Sequence, residues 1–160
     1  MGFLSKKGID YEENFAPVAR YTSIRFIISI ATKMKLNVHQ MDVKTAFLNC
    51  VIEEEVCIEQ PQCFETHDNK SHVCKLKKAL YGLKQAPRAW YGRIYIFLRS
   101  LRFTKSKAES NLYYKVVDDG PVILLLYVDD LFLTGNEKLI DDYKKKLVAE
   151  FEMKDLGMMH

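Results

Sequence analysis

The stretch Val122-Ile-Leu-Leu-Leu-Tyr-Val-Asp-Asp-Leu-Phe-Leu133 sets two adjacent acids, Asp129 and Asp130, between two apolar runs. Short apolar runs of this kind read as buried strands, which puts the acids in the tight turn between them. Ionised carboxylates beside a core cost on the order of several kcal/mol each unless compensated, and two neighbours also repel each other. A divalent cation relieves both effects, and Mg2+ prefers carboxylate oxygens. A plain hairpin turn with two solvated acids is the alternative that spacing alone leaves open.

Two other acid pairs read differently. Asp118-Asp119 precedes Gly120-Pro121 in a polar turn, and Asp141-Asp142 lies beside Lys144, Lys145 and Lys146 on a charged stretch. Asp42 is the third acid of interest, because Val38-His-Gln-Met-Asp-Val43 is another apolar-rich strand where an unpaired carboxylate is out of place. Three carboxylates can hold two metal ions roughly 3.5–4 Å apart, the arrangement used for in-line phosphoryl transfer. Taken alone, Asp42 could instead pair with Lys44 or with another of the chain's cations.

Working outward, Ile24, Ile27, Ile28, Ala31 and Met34 recur at helical spacing and predict a helix over 22–35, with Thr22 or Ser23 as its cap. Strands are expected at 38–43, around Val56 and Ile58, and at 73–76, with 60–71 as polar connection. Gly82 marks a turn, and Pro87 opens a helix whose buried face carries Trp90, Ile94, Phe97 or Leu98, and Leu101. Strands at 112–117 and 122–128 flank the 118–121 turn. A short strand from Leu131 and a helix capped near Asn136, with Leu139, Ile140, Tyr143, Leu147 and Phe151 on one face, complete the pattern. Helices and strands mix without a βαβ rhythm, so the fold class is α+β.

With 160 residues, 48% of them hydrophobic, the chain can bury one core and suits one globular unit. Its longest apolar run is far short of the roughly 20 residues that span a bilayer, and no export signal is visible. A cytoplasmic setting without membrane partners is therefore expected, with Cys50, Cys57, Cys63 and Cys74 as free thiols. The grouping Cys63, His67, His72 and Cys74 matches no common zinc spacing.

Charge is uneven. None of the 21 acids falls between Asn69 and Ala108, a window with eleven Lys and Arg residues interleaved with Tyr81, Trp90, Tyr91, Tyr95, Phe97 and Phe103. Cations with aromatics suit a polyanion such as nucleic acid, by phosphate neutralisation and stacking on bases. The competing reading puts the aromatics in the core of an amphipathic helix.

At this point four blocks can be set together: Asn14-Phe-Ala-Pro-Val-Ala-Arg20, His39-Gln-Met-Asp-Val-Lys-Thr-Ala-Phe-Leu-Asn49, Leu76-Lys-Lys-Ala-Leu-Tyr-Gly-Leu-Lys-Gln-Ala-Pro-Arg-Ala-Trp-Tyr91 and Tyr127-Val-Asp-Asp130. In this order they resemble the reverse transcriptase of copia-type long-terminal-repeat retrotransposons over essentially the whole length. The resemblance implies a fingers/palm fold with a mostly antiparallel palm sheet packed on helices. Residues 1–160 would form one domain truncated at both ends, with the thumb absent. It implies an RNA-directed DNA polymerase that uses two Mg2+ (or Mn2+) ions at Asp42, Asp129 and Asp130. Its partners would be an RNA template, a DNA primer, dNTPs and, in a full-length element, RNase H and integrase domains.

The resemblance also makes Phe47 the aromatic gate against a ribose 2′-hydroxyl, with Tyr81 and Tyr127 beside the incoming nucleotide. Lys84, Gln85 and Arg88 would meet the nucleic acid. The chain departs from the family's usual glycine at Cys50, Cys63 and Arg102, and from its usual aromatic at Cys57. Backbone strain is expected where glycine is replaced. A decayed, non-catalytic remnant that still binds nucleic acid is the alternative function.

Overall fold

The computed structural model describes residues 21–61, 64, 72–118 and 120–159. A helix α1 (Tyr21–Met34) leads into strand β1 (Val38–Val43), a short 3-10 helix (Ala46–Asn49) and the two-residue strands β2 (Cys57–Ile58) and β3 (Cys74–Lys75). Helix α2 (Ala86–Ser100) follows, then β4 (Thr104–Lys105), β5 (Leu112–Val117), β6 (Gly120–Tyr127), β7 (Asp130–Gly135), helix α3 (Glu137–Glu150) and β8 (Met153–Met158). Six strands form one sheet in the order β4-β5-β6-β7-β1-β8, every neighbouring pair antiparallel. β2 and β3 pair separately. The class is α+β with a mostly antiparallel sheet packed on helices.

The runs on either side of Asp129 and Asp130 are apolar at every position because β6 and β7 are central strands covered on both faces. Val122, Leu124, Leu126, Leu131 and Leu133 pack with Trp90, Ile94 and Leu98 of α2 and Ile140, Tyr143 and Leu147 of α3. On the opposite face, Leu125 and Phe132 pack with Ile27 and Ala31 of α1. Fully burying one such aliphatic side chain is worth about 1.5–3 kcal/mol, so these central strands anchor the fold. Gly135 ends β7 at a close approach: a Cβ there would lie 2.3 Å from the Pro121 carbonyl oxygen.

Helix ends follow local chemistry. The Asn136 side chain accepts hydrogen bonds from the Lys138 and Leu139 amides at 3.0 and 3.4 Å, capping α3 as its position foretells. Pro87 sits in the first turn of α2, where its missing N–H costs nothing. Thr22 and Ser23 do not cap α1, since both lie within it, and Ser23 Oγ donates instead to Glu109 Oε2 at 2.6 Å. Ile28 and Met34, expected on its buried face, are exposed.

The expected glycine-site strain divides. Arg102 has φ 64° in the left-handed region, whereas Cys50 is extended at φ −112° and carries none. Cys50 is instead buried, and loss of solvent pushes its thiol up to about 11, against the pull of the Arg93 charge. Cys50, Cys57 and Cys74 are free thiols. Cys63, His67, Asp119 and the block at 14–20 lie outside the described residues. Among the described residues no helix is long and apolar enough to cross a membrane.

Candidate active site

Three strands and a turn bring the three acids to the same end of the sheet. β6 and β7 pair in register through Tyr127 opposite Asp130, leaving Val128 and Asp129 as a two-residue hairpin turn. Such turns require a left-handed residue, usually glycine, and here Val128 adopts φ 56°. A β-branched residue in that conformation stores strain and persists only where its surroundings over-determine it. They do so here: the buried Trp90 donates Nε1–H to the Val128 carbonyl at 2.6 Å, and Val43 N–H donates to the Asp129 carbonyl at 2.9 Å. β1 pairs with β7 so that Asp42 stands directly opposite Asp130.

Strand alternation settles which face the acids share. Met41 and Val43 belong to the α2/α3 core, as do Leu131 and Leu133. Asp42 and Asp130 therefore lie on the other face, with Gln40 and Phe132. There Gln40 Nε2 donates to Asp130 Oδ1 at 2.9 Å. Burial raises the Asp129 carboxyl above its ordinary value; its own backbone amide opposes this, while the charges of Asp130 and Asp42 push it further.

Among the described residues, none of the ion pairs involves Asp42, Asp129 or Asp130. Nor do any three His, Cys, Asp or Glu side chains there converge as a ready-made metal cage. The chemistry of the donor set still suits a hard cation: three half-buried carboxylates that supply oxygen ligands only and that no ion pair neutralises.

The aromatic candidates gather around these acids. Phe47 is buried, and its ring lies 4.4 Å from that of Tyr81, centroid to centroid. Burial raises the Tyr81 hydroxyl, as do the charges of Asp129 and Asp42, with the Ala46 amide acting in opposition. Tyr127 approaches Tyr21 at 6.4 Å between centroids. Its hydroxyl is raised chiefly by Tyr21, then by burial, with the Asp130 charge adding to the effect.

The basic candidates sit further along. Lys84 and Arg88 are exposed, while Gln85 is buried at the start of α2. Gln85 and Arg88 line a cavity of about 400 Å³ with Glu53, Glu54, Arg93 and Ile96. The stacking role of the basic segment's aromatics is corrected: Trp90 and Phe103 are fully buried, and Tyr91, Tyr95 and Phe97 pack against the core. Only Tyr81 among the six is exposed. Gln40 escaped the sequence reading, although its place two residues before Asp42 puts it on the same strand face.

A family model described as reverse transcriptase (RNA-dependent DNA polymerase) matches residues 1–160. The chain is 49% identical over 158 residues to the retrovirus-related Pol polyprotein from transposon TNT 1-94 of Nicotiana tabacum, covering 98% of this chain and 12% of that polyprotein. It is 38% identical over 160 residues to the Pol polyprotein from transposon RE1 of Arabidopsis thaliana, covering 99% of this chain and 11% of the relative. Identity to the transposon Ty1-H Gag-Pol polyprotein of Saccharomyces cerevisiae is 27% over 154 residues, 90% of this chain and 8% of the relative. No solved structure matches. The chain thus belongs to the reverse transcriptase family, in the form found in copia-type transposon Pol polyproteins. It spans about a tenth of the length of the TNT 1-94 and RE1 polyproteins.

Proposed function

We propose that residues 1–160 form a fingers/palm domain of an RNA-directed DNA polymerase, which extends a DNA primer on an RNA template by nucleotidyl transfer from dNTPs. The observation that carries this reading is the pairing of Asp42 with Asp130 beside the Asp129 turn. In it, Asp42, Asp129 and Asp130 hold two Mg2+ or Mn2+ ions. Such ions, when bound, acidify the primer 3′-hydroxyl and neutralise the charge of the departing pyrophosphate.

The chain's own groups position the reactants, the larger part of catalysis in phosphoryl transfer. The Phe47 ring, backed by Tyr81, forms a wall that a ribose 2′-hydroxyl would strike. Tyr127 sits on the strand end next to Asp130, within reach of a nucleotide held there. Lys84 and Arg88 offer charge to phosphates, with Gln85 beside them at the start of α2 as a further nucleic-acid contact. RNase H and integrase domains belong to the longer polyprotein this reading supposes.

The test is Mg2+-dependent extension of a DNA primer on an RNA template, with Asp129→Asn as control and filter binding in parallel. Extension is expected, falling on the order of 10²–10³-fold or more in the variant. Binding without extension in the unaltered chain would favour the non-catalytic remnant instead.

A further inference from the structure

Asp130 accepts a hydrogen bond that the three-carboxylate reading leaves unexplained. We infer that Gln40 is a positioning residue for the metal-binding carboxylates: its amide fixes the Asp130 carboxylate through Oδ1 and leaves Oδ2 to a divalent cation. This rests on the site proposed above.

The placement follows from strand geometry. Gln40 and Asp42 are two residues apart on β1 and share a face. The β1–β7 register sets Gln40 opposite Phe132 and Asp42 opposite Asp130, which makes Gln40 the diagonal neighbour of Asp130. Diagonal neighbours are about 7–8 Å apart at the backbone, within reach of a long side chain. The contact is made at 2.9 Å in a partly buried setting. Its direction is fixed by chemistry, because an ionised carboxylate only accepts and the NH2 end of the amide must face it.

The residue type matters as much as its place. A Lys or Arg at this position would cancel the negative charge that attracts a cation. An apolar side chain would leave the Asp130 carboxylate free to rotate away from Asp42 and Asp129, whose charges repel it. A neutral donor avoids both: it orients the carboxylate and keeps its charge available. Hydrogen bonds of this kind to metal ligands are worth about 10–100-fold in metal affinity or activity.

The test is Mn2+ titration of the whole chain, reading free Mn2+ by electron paramagnetic resonance, for the unaltered protein, Gln40→Met, Phe132→Leu and Asp129→Asn. Gln40→Met keeps length and removes the donor, while Phe132→Leu perturbs packing on the same face. The expected result is a Kd raised about 10–100-fold in Gln40→Met and unchanged in Phe132→Leu. In the metal-free protein, Asp130→Asn should move the Gln40 side-chain NH2 resonances. Equal Mn2+ affinity in the unaltered chain and Gln40→Met, or an equal loss in Phe132→Leu, overturns the role of Gln40 and leaves the metal site standing. Unaltered protein that binds Mn2+ no better than Asp129→Asn overturns the metal site and this role with it.

Discussion

Arg102 shows how one residue can oppose the element it terminates. α2 ends in a Schellman motif: Phe103 N–H donates to the Leu98 carbonyl at 3.0 Å, Arg102 N–H to the Arg99 carbonyl at 2.9 Å, and Leu98 and Phe103 are both buried. The motif requires a left-handed residue at position 102, which an L side chain adopts at a cost of about 1–2 kcal/mol. Glycine avoids that cost but loses about 0.5–1 kcal/mol in chain entropy. Arg102→Gly should therefore stabilise the protein by about 0.5–1 kcal/mol, raising Tm by up to about 4 °C in thermal unfolding. No rise, or a fall, would mean that the exposed arginine makes a compensating interaction. Cys50 offers no such gain, because its extended backbone suits any residue. Glycine replaced in sequence signals strain only where the backbone is left-handed, which spacing alone does not reveal.

At the scale of elements, β8 is held to β1 and α3 by a polar network at the end of β1 away from Asp42. His39 meets Glu137 through Nε2 and Lys144 through Nδ1, each at 2.9 Å, and Lys144 reaches Asp155 of β8 at 3.0 Å. Burial alone would raise the Asp155 carboxyl. The Gly157 amide, the Lys144 hydrogen bond and charge, and the His39 charge outweigh it and hold the group below its usual range. A lowered carboxyl contributes stability that is present above the unfolded-state value of about 3.9 and is lost as pH falls through the folded value beneath it. Asp155→Asn should thus lower Tm at pH 7 and cease to matter at strongly acidic pH. Its side chain is 48% exposed, so screening keeps the effect below about 1 kcal/mol. A difference that persisted undiminished in acid would assign the loss to packing. β8 was also the long strand that the sequence did not disclose. Residues 153–158 have no period-two apolar pattern, and most are exposed; main-chain pairing to β1 makes the strand. β1, β5, β6, β7 and all three helices were legible because burial wrote apolar runs or helical periods into the sequence. The acids Asp129, Asp130 and Asp42 were legible because charge is costly where they lie, whereas a neutral amide such as Gln40 raises no such signal.

Folding redistributes the charge of the whole molecule. The basic window from 69 to 108 contains no acid of its own, yet distant acids reach into it: Glu55 pairs with Lys75 at 3.1 Å, and Glu150 pairs with Arg93. Lys105 lies over the Tyr91 and Tyr95 rings, at 5.2 and 5.6 Å from their centroids. A count of cations along the chain therefore overstates the charge offered to a polyanion. Release of counterions from nucleic acid measures that charge directly, since log K falls against log salt by about 0.7 per phosphate neutralised on a single strand. Filter binding of single-stranded RNA across a salt series should show the slope reduced by about 0.7 in Lys84→Ala and again in Arg88→Ala, the cations of the turn after Tyr81 and the start of α2. Lys75→Ala is the comparison: Lys75 lies on β3, ahead of that turn in the chain, and its loss should change the slope less. Equal reductions from all three would show that RNA senses the net charge of the surface. A reduction confined to Lys84 and Arg88 would place the RNA along the turn and first helical residues that follow Tyr81, beside the three carboxylates.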